Sequence, residues 1–356
     1  MNLIDRKVIV NNLRAPHYKM RSIMLILFLG CLVHQIASNI VFEDKTLYEG
    51  DNCVLSNGRP GQCRKASACT TVGGGELKLC RSDGSRMVGC CDVVQQQCNA
   101  VFNATATRIS DHIVGVVDRA ESGEFPFIAL VIYNTTVHRC GATIISERFL
   151  LSAAHCFRSE FTALKVRVGT TEAEDGMADT YEIARVRRHS RYGSLRRLND
   201  IAVIELKTKI KMNQQVQPIC LYTEKEELPE TQNLTVIGWG IDNSEDVSRV
   251  LLKGIVRPVL RSNCHQRFNK DFVRFNVTDG HLCALGEQNE DGTATDACQG
   301  DSGGPLVLRQ NDKYYLVGVV SSGPACGGTE LAGIYTWVSK YLEWIIEQQA
   351  WRNSPR

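Results

Sequence analysis

Cysteine is the sequence feature that most restricts what this chain can fold into. The 356 residues include 15 cysteines, and Cys31 lies apart from the others in an apolar run near the amino terminus. The remaining cysteines, 14 in all, are an even number available for pairing. Cysteine at this density is typical of secreted proteins, whose disulfides form in an oxidising compartment. The sequence therefore predicts an extracellular protein stabilised by disulfide bonds.

The apolar run at residues 23–33 has the length of a signal-peptide core and is shorter than the ~20 residues that cross a bilayer. Basic residues precede it, and Ala37 and Ser38 follow it. We expect a cleaved signal peptide over residues 1–38, with Met20 as an alternative start, and no membrane attachment afterwards. A signal anchor that stays in the membrane is the competing interpretation.

Charge and sequons add two expectations. The net charge is +2, which is not the basic footprint of a nucleic-acid-binding protein. Asn-x-Ser/Thr sequons occur at four positions, and secretion would make them usable for glycosylation: Asn103, Asn134, Asn233 and Asn276.

Residues 39–92 predict a small domain that depends on disulfides. The segment is rich in turn formers and too short to bury enough apolar surface without cross-links. Its six cysteines allow many pairings, among which the sequence alone does not choose: Cys53, Cys63, Cys69, Cys80, Cys90 and Cys91. We expect residues 93–112 to be a linker, because from residue 99 the stretch is polar and aperiodic.

The pattern of apolar and polar residues changes at Ile113. Short runs of β-branched and apolar residues alternate with turn signals, a pattern typical of all-β barrels or sandwiches. The runs lie at 125–133, 142–151, 165–169, 201–206, 234–238 and 315–320. Near the end, apolar residues at helical spacing over 338–346 predict one closing amphipathic helix.

Three segments carry groups that suit hydrolysis. They are Ala154-His155-Cys156, Asn199-Asp200-Ile201 and Gly300-Asp301-Ser302-Gly303-Gly304. A serine among glycines lies on backbone that turns sharply and approaches a substrate closely. The order His, Asp, Ser is one of the chain orders of a hydrolytic triad.

With these motifs, residues 113 to about 351 resemble the chymotrypsin-like serine proteases of the trypsin family. The resemblance implies an all-β fold of two six-stranded barrels and a protease domain over residues 113–356. It makes His155 the general base, Asp200 the group that orients it and Ser302 the nucleophile. The backbone N–H groups of Gly300 and Ser302 would form the oxyanion hole.

The same resemblance implies a specificity pocket with Asp296 at its base and with Gly323 and Gly333 in its walls. A buried carboxylate needs a cationic partner, which a substrate Arg or Lys supplies. Ala297 follows Asp296 where some relatives have Ser, so a substrate ammonium loses a hydrogen-bond partner. We therefore expect Arg to be preferred over Lys.

His112-Ile113-Val114-Gly115 resembles the activation junction of these zymogens. Cleavage after His112 would free the Ile113 ammonium to pair with Asp301, beside the nucleophile. Arg108-Ile109 is the rival junction, although Ile109 lies four residues too far from the catalytic motifs. An enzyme with an acidic pocket does not cleave after His, so we expect a separate activating protease.

The amino-terminal cysteines, with their adjacent pair, resemble the clip domain of arthropod secreted proteases, and the His-Ile junction resembles its subgroup C. The resemblance implies seven disulfides that use all 14 cysteines: Cys53–Cys90, Cys63–Cys80, Cys69–Cys91, Cys98–Cys220, Cys140–Cys156, Cys264–Cys283 and Cys298–Cys326. It implies a monomeric haemolymph protease in an immune cascade of melanisation or Toll activation. Its partners would be a downstream clip-protease zymogen, an upstream activator and a serpin-type inhibitor. The alternatives are a non-catalytic clip adaptor and a digestive or developmental protease.

Two weaker patterns remain. Residues 185–197 contain six arginines, which indicates either a solvated loop or an exosite for an acidic patch on a substrate zymogen. Acidic residues crowd one further loop, where some relatives bind calcium: Glu172, Glu174, Asp175 and Asp179. Solvated acids are the simpler interpretation, so we expect no metal and no cofactor.

Overall fold

The structure is a computed structural model that describes residues 47–69, 78–83, 86–104, 118–135, 138–195, 197–241, 247–270, 276–286, 300–323 and 331–350. Several predicted features lie outside the described residues. They are the signal peptide, both candidate activation junctions, Asp296 with Ala297, and the Cys298–Cys326 pair. Within the described part, no helix is both long and apolar enough to cross a membrane.

The amino-terminal domain is one sheet of four strands in the order β1-β2-β4-β3. The strands are β1 (Asn52–Val54), β2 (Pro60–Lys65), β3 (Leu79–Asp83) and β4 (Arg86–Cys91), with a short 3-10 turn at Ala66–Ala68. Three disulfides link them, in the pairs that the resemblance implies: Cys53–Cys90, Cys63–Cys80 and Cys69–Cys91. Buried cystines with Leu47, Leu55 and Val88 are the whole of its described core, so covalent links replace apolar burial here.

The predicted linker begins with a helix. Helix α1 (Val93–Ala104) follows Asp92, whose carboxylate accepts a hydrogen bond from the backbone N–H of Gln95 at 2.9 Å and caps it. Val93 and Val94 are buried in the same apolar cluster as the first barrel, and Cys98 is bonded to Cys220. The first part of the segment expected to be a linker is therefore packed on the protease body.

The first barrel closes in the order β10-β11-β8-β7-β6-β9. Its strands are β6 (Ile128–Tyr133), β7 (Cys140–Ile144), β8 (Phe149–Ser152), β9 (Ala163–Val168), β10 (Asp179–Arg188) and β11 (Ala202–Leu206). The apolar run predicted as one strand over 142–151 is two, because the chain turns back at residues 146–148 and β7 pairs antiparallel with β8.

The second barrel closes in the order β17-β16-β13-β14-β15-β18, with β18 returning to pair with β17. Its strands are β13 (Leu234–Gly238), β14 (Leu252–Val259), β15 (His281–Gly286), β16 (Pro305–Gln310), β17 (Lys313–Ser322) and β18 (Gly333–Trp337). Two short strands add to it: β5 (Asp118–Arg119) pairs with β14, and β12 (Cys220–Leu221) pairs parallel with β17. Helix α2 (Arg261–Lys270) precedes β15 and is linked to it by Cys264–Cys283. The predicted pair of six-stranded barrels is confirmed.

The chain's described part ends in the predicted amphipathic helix. A 3-10 turn at Val338–Tyr341 leads into helix α3 (Leu342–Ala350). The residues at helical spacing are buried in the main apolar cluster: Val338, Tyr341, Leu342, Ile345 and Ile346. Their periodicity in the sequence therefore corresponds to the face that packs on the barrels.

Candidate active site

Two paired strands place the first two catalytic candidates side by side. His155 lies in a 3-10 turn (Ala154–Cys156) directly after β8, and Asp200 lies directly before β11. Because β8 and β11 are antiparallel neighbours, with Ala202 opposite Ser152, the end of one strand meets the start of the other. His155 Nδ1 is 2.7 Å from Asp200 Oδ2, and the backbone N–H of His155 donates to Asp200 Oδ1 at 2.8 Å.

Asp200 is completely buried, and hydrogen bonds reach both its carboxylate and its backbone carbonyl. Besides the two bonds from His155, the hydroxyl of Ser321 donates to Asp200 Oδ2 at 2.6 Å, and that of Thr336 to the Asp200 carbonyl at 2.7 Å. Burial alone would raise the pKa of Asp200, but the hydrogen bonds from His155 and Ser321 outweigh it and hold that pKa below its usual value. Asp200 is therefore an anion that fixes the imidazole through its Nδ1–H.

Ser321 and Thr336 are site residues that the sequence analysis did not single out as such. Both come from the second barrel, Ser321 from β17 and Thr336 from β18, whereas Asp200 leads into the first. A Ser or Thr inside an apolar strand has no local signal of function. Only the closure of the two barrels against each other brings these hydroxyls to Asp200.

The Ser302 segment is held by both barrels. The backbone N–H of Gly141, in β7, donates to the Ser302 carbonyl at 2.8 Å, and that of Gly303 donates to Val320 O, in β17, at 2.8 Å. Gly303 has a φ of 78°, and a Cβ there would lie 2.3 Å from Ser152 Oγ. Only glycine fits this position, as expected of a serine on a tight turn.

A disulfide lies between the imidazole and the serine segment. Cys156 is bonded to Cys140, and Cys156 Sγ is 4.0 Å from His155 Nε2 and 3.7 Å from the Ser302 carbonyl. His155 and Ser302 are thus neighbours in the structure. Cys140, His155 and Cys156 have the spacing of a metal site, but both sulfurs are in the disulfide and offer no thiolate.

Gly300 and Asp301 complete the turn before Ser302. Gly300 has a φ of 102°, and a Cβ there would lie 2.9 Å from Trp239 O, so this position too requires glycine. Asp301 is buried, and its Oδ1 accepts the backbone N–H of Gly240 at 2.8 Å. Its predicted partner, the Ile113 ammonium, lies outside the described residues.

The predicted specificity pocket is described in part. Gly333 is buried at the start of β18, where Ser322 of β17 pairs with Ile334, and Gly323 is exposed directly after β17. Because β17 and β18 are antiparallel, Gly323 and Gly333 lie near each other at the same edge of the second barrel. Asp296 and Ala297, the predicted base, lie outside the described residues.

Three of the four predicted glycosylation sites have asparagines on the described surface. Asn134, Asn233 and Asn276 are all exposed. Asn103 lies in helix α1. Glycosylation at all four sites remains a prediction.

Two arginines from outside the acidic loop contact it. Glu174 accepts a hydrogen bond from Arg139 at 3.2 Å, and Arg167 Nη1 donates to the Ala173 carbonyl inside the loop. The backbone N–H of Met177 donates to Asp175 at 2.8 Å and is the main reason why the pKa of Asp175 is lowered. Glu172 and Asp179 are exposed. Guanidinium groups therefore already contact two oxygen atoms that a calcium ion in this loop could use.

Comparison with known proteins agrees with this architecture. Residues 113–345 match the family model described as trypsin. The chain is 30% identical to "CLIP domain-containing serine protease C9" of Anopheles gambiae, over 98% of this chain and 97% of that protein. It is 34% identical to "Phenoloxidase-activating factor 1" of Holotrichia diomphalia, over 62% of this chain and 66% of that protein. It is 33% identical to "Melanization protease 1" of Drosophila melanogaster, over 66% of this chain and 65% of that protein.

Proposed function

Because the chain belongs to the clip-domain serine proteases of the trypsin family, we propose that it is a catalytically active endopeptidase zymogen. The observation that carries this proposal is the buried Asp200 carboxylate, 2.7 Å from His155 Nδ1, with the Ser302 segment held beside the same imidazole. The dyad supplies the general base, and Ser302 supplies the hydroxyl that a non-catalytic homologue would lack.

The chemistry follows from these groups. The Ser302 hydroxyl gives its proton to His155 Nε2 as its oxygen attacks the scissile carbonyl carbon, and Asp200 stabilises the imidazolium that forms. The backbone N–H groups of Gly300 and Ser302 then receive the developing oxyanion. His155 returns the proton to the leaving amine, and water repeats the sequence on the acyl-enzyme, which frees Ser302. Proteases of this family need no cofactor for these steps.

We further propose cleavage after Arg and activation at His112-Ile113. The support for both is the family resemblance of Asp296, Gly323 and Gly333 for the pocket, and of Asp301 for the Ile113 ammonium. Two relatives are named for phenoloxidase activation and melanisation, which favours an extracellular immune cascade in the haemolymph for this chain. Its substrate would be a downstream clip-protease zymogen, and its regulators an upstream protease and a serpin-type inhibitor.

The test uses the full zymogen with residues 109–112 replaced by the recognition sequence of a tag-removing protease that leaves Ile113 as the new amino terminus. Peptides with Arg, Lys or Phe before the scissile bond are assayed before and after cleavage. We expect hydrolysis after cleavage only, fastest for Arg, and a loss of about a million-fold in kcat for Ser302→Ala.

Each alternative has its own outcome. No activity after complete cleavage at Ile113 would contradict the enzyme and favour the non-catalytic clip adaptor. Activity of a second variant, in which residues 105–108 carry the recognition sequence and Ile109 becomes the new amino terminus, would retain the enzyme and move the junction to Arg108. Faster hydrolysis after Lys than after Arg would contradict the specificity assigned to Asp296 and Ala297.

A further inference from the structure

The loop that leads into Asp200 is rich in arginine, and hydrogen bonds join its described residues. Residues 189–199, here called the arginine hairpin, connect β10 to the residues before β11. Gly193 and Leu198 exchange backbone hydrogen bonds of 2.9 and 3.2 Å, and the side chain of Asn199 donates to Arg191 O at 2.8 Å. These bonds link the two sides of the hairpin to each other.

Its base is fixed to the protein body. The His189 ring is buried against Tyr341 and Trp344, with ring centroids 5.7 and 5.1 Å apart. The Tyr341 hydroxyl donates to Asn199 Oδ1 at 3.2 Å, and buried His281 donates from Nε2 to Arg197 O at 3.2 Å. The hairpin is thus positioned by contacts from β15 and from the closing helical segment.

Arg197 occupies a backbone conformation that costs free energy. Its φ is 49°, in the left-handed region, where a glycine would be unstrained. Its guanidinium donates to the Tyr192 hydroxyl at 3.3 Å. Burial and the charge of Asp200 raise the pKa of the Tyr192 phenol, against the opposing charges of Arg197 and Arg158.

The surface of the hairpin is cationic with an apolar tip. From Ile183 to Asn199 the sequence contains no Asp or Glu. Among the described residues, Arg188, Arg191 and Arg197 form no ion pair with a carboxylate. Leu195 at the tip is 98% exposed. An exposed leucine in the same loop as guanidinium groups that have no carboxylate partner among the described residues is a surface suited to a partner.

We propose that the arginine hairpin is a docking surface for an acidic segment of the protein substrate. Arg191 and Arg197 bind its carboxylates, and Leu195 contacts an apolar side chain next to them. The net charge of the whole chain is only +2, so the excess of arginine is a local property of this segment. The hairpin ends directly before Asp200, so a substrate chain that enters the catalytic site passes near the hairpin. The inference deepens the proposed function and rests on it.

The test compares two peptides that share an Arg before the scissile bond and differ upstream, with Glu in one and Gln in the other. They are assayed with the enzyme activated at Ile113. Exposed ion pairs change an equilibrium by roughly two- to fivefold each, so we expect an acidic-over-neutral ratio in kcat/KM of about five in low salt. The ratio should fall towards one in high salt.

Three variants test whether the preference for the acidic peptide arises from the arginine hairpin. Arg191→Gln and the double variant Arg191→Gln, Arg197→Gln should lower the ratio, the double variant towards one. Arg119→Gln removes an exposed arginine from β5 of the second barrel and is the matched control, so it should keep the wild-type ratio. Arg191 is exposed, so its single variant keeps the test valid even if the Arg197 change disturbs folding.

Binding separates this inference from the proposed function. With Ser302→Ala, the acidic peptide should bind more tightly than the neutral one, and Arg191→Gln should remove the difference, whether or not the wild type hydrolyses peptides. Equal binding of the two peptides would overturn the docking surface. So would hairpin variants that weaken binding of heparin and leave the peptide ratio unchanged, because the surface would then serve a sulfated polysaccharide.

Discussion

At the scale of single residues, the buried carboxylate of Asp200 determines how the site works. A hydrogen bond to a charged group is worth about 1.5–3 kcal/mol, so the Ser321 hydroxyl at 2.6 Å contributes measurably to keeping Asp200 anionic and in place. We expect Ser321→Ala to lower kcat/KM by about tenfold and Asp200→Asn to lower kcat by about 10,000-fold. Ser122→Ala, which removes an exposed hydroxyl, is the control. Wild-type kinetics in Ser321→Ala would contradict this role.

A second residue-scale prediction concerns buried His281. Thr278 donates from its backbone N–H to His281 Nδ1 at 3.0 Å, so this nitrogen is an acceptor and the ring is neutral. Burial lowers the pKa of His281 below 6.5, against the opposing effects of the Arg197 carbonyl and of the Asp200 and Asp279 charges. The folded protein therefore resists protonation more than the unfolded chain does.

The sign of the pH effect follows from that direction. Stability from His281 is complete above pH 6.5 and is lost as the pH falls below 6.5 towards the folded-state pKa, because the unfolded chain takes up the proton first. We expect the urea midpoint of the wild type to fall from pH 7.5 to 5.5, and to fall less in His281→Gln. The His281→Gln variant retains part of the pH dependence of stability, because burial also lowers the pKa values of His189 and His138. An unchanged pH slope in His281→Gln would contradict the prediction.

At the scale of elements, the sequence was most informative where an apolar run was continuous. The runs at 201–206, 234–238 and 315–320 correspond to β11, β13 and β17, whose residues are largely buried. β10 was not predicted, because arginine and other exposed residues alternate with few apolar ones. It becomes a strand through its pairing with β9 and β11, which is a tertiary effect that no local pattern contains.

The candidate site also combines residues that a local motif indicates with residues that only the tertiary fold brings in. His155, Asp200 and Ser302 stand in motifs with a recognisable residue order, so the sequence indicated them. Ser321 and Thr336 contact Asp200 from strands more than a hundred residues later, with separations of 121 and 136. Nothing in the sequence around them distinguishes them from other hydroxyls in apolar strands. The three catalytic candidates were therefore predictable from the sequence, and the two hydroxyls that contact Asp200 from the second barrel were not.

The acidic loop gives a prediction about metal. Arg139 pairs with Glu174, and Arg167 donates to Ala173 O, so the loop already has cations where calcium would act. We expect neither Ca²⁺ nor EDTA to change the melting temperature of the wild type. Arg167→Gln should lower the melting temperature in EDTA and gain stability from Ca²⁺. A calcium-dependent rise in the wild type would contradict this assignment and restore the calcium site.

At the scale of the whole molecule, the clip domain is joined to the protease body by more than a flexible linker. Helix α1 buries Val93 and Val94 in the main apolar cluster, and Arg59 of the clip domain donates to Thr223 Oγ1 at 3.1 Å. The side chains of Gln97 and Gln349 join α1 to α3 at 3.2 Å. Cys98–Cys220 adds a covalent link across a sequence separation of 122 residues. The clip domain and α1 therefore remain with the catalytic barrels even after a cut between α1 and β5.

The contribution of this link can be separated from that of the packing. A disulfide that closes a long loop restricts the unfolded chain more than one that closes a short loop. Typical disulfides add about 2–4 kcal/mol to the free energy of unfolding. We expect Cys98→Ala, Cys220→Ala to lower the melting temperature of the uncut zymogen. After cleavage at Ile113, it should separate into two chains on a non-reducing gel, where the wild type stays one. In native buffer the two pieces of the variant should still co-elute in gel filtration, because Val93 and Val94 remain buried. If the two pieces of the double cysteine variant separated without denaturant, the disulfide alone would retain the clip domain and the role of the packing would be contradicted. Adding Val94→Asp to that variant should disrupt the packing, so these pieces should separate in native buffer.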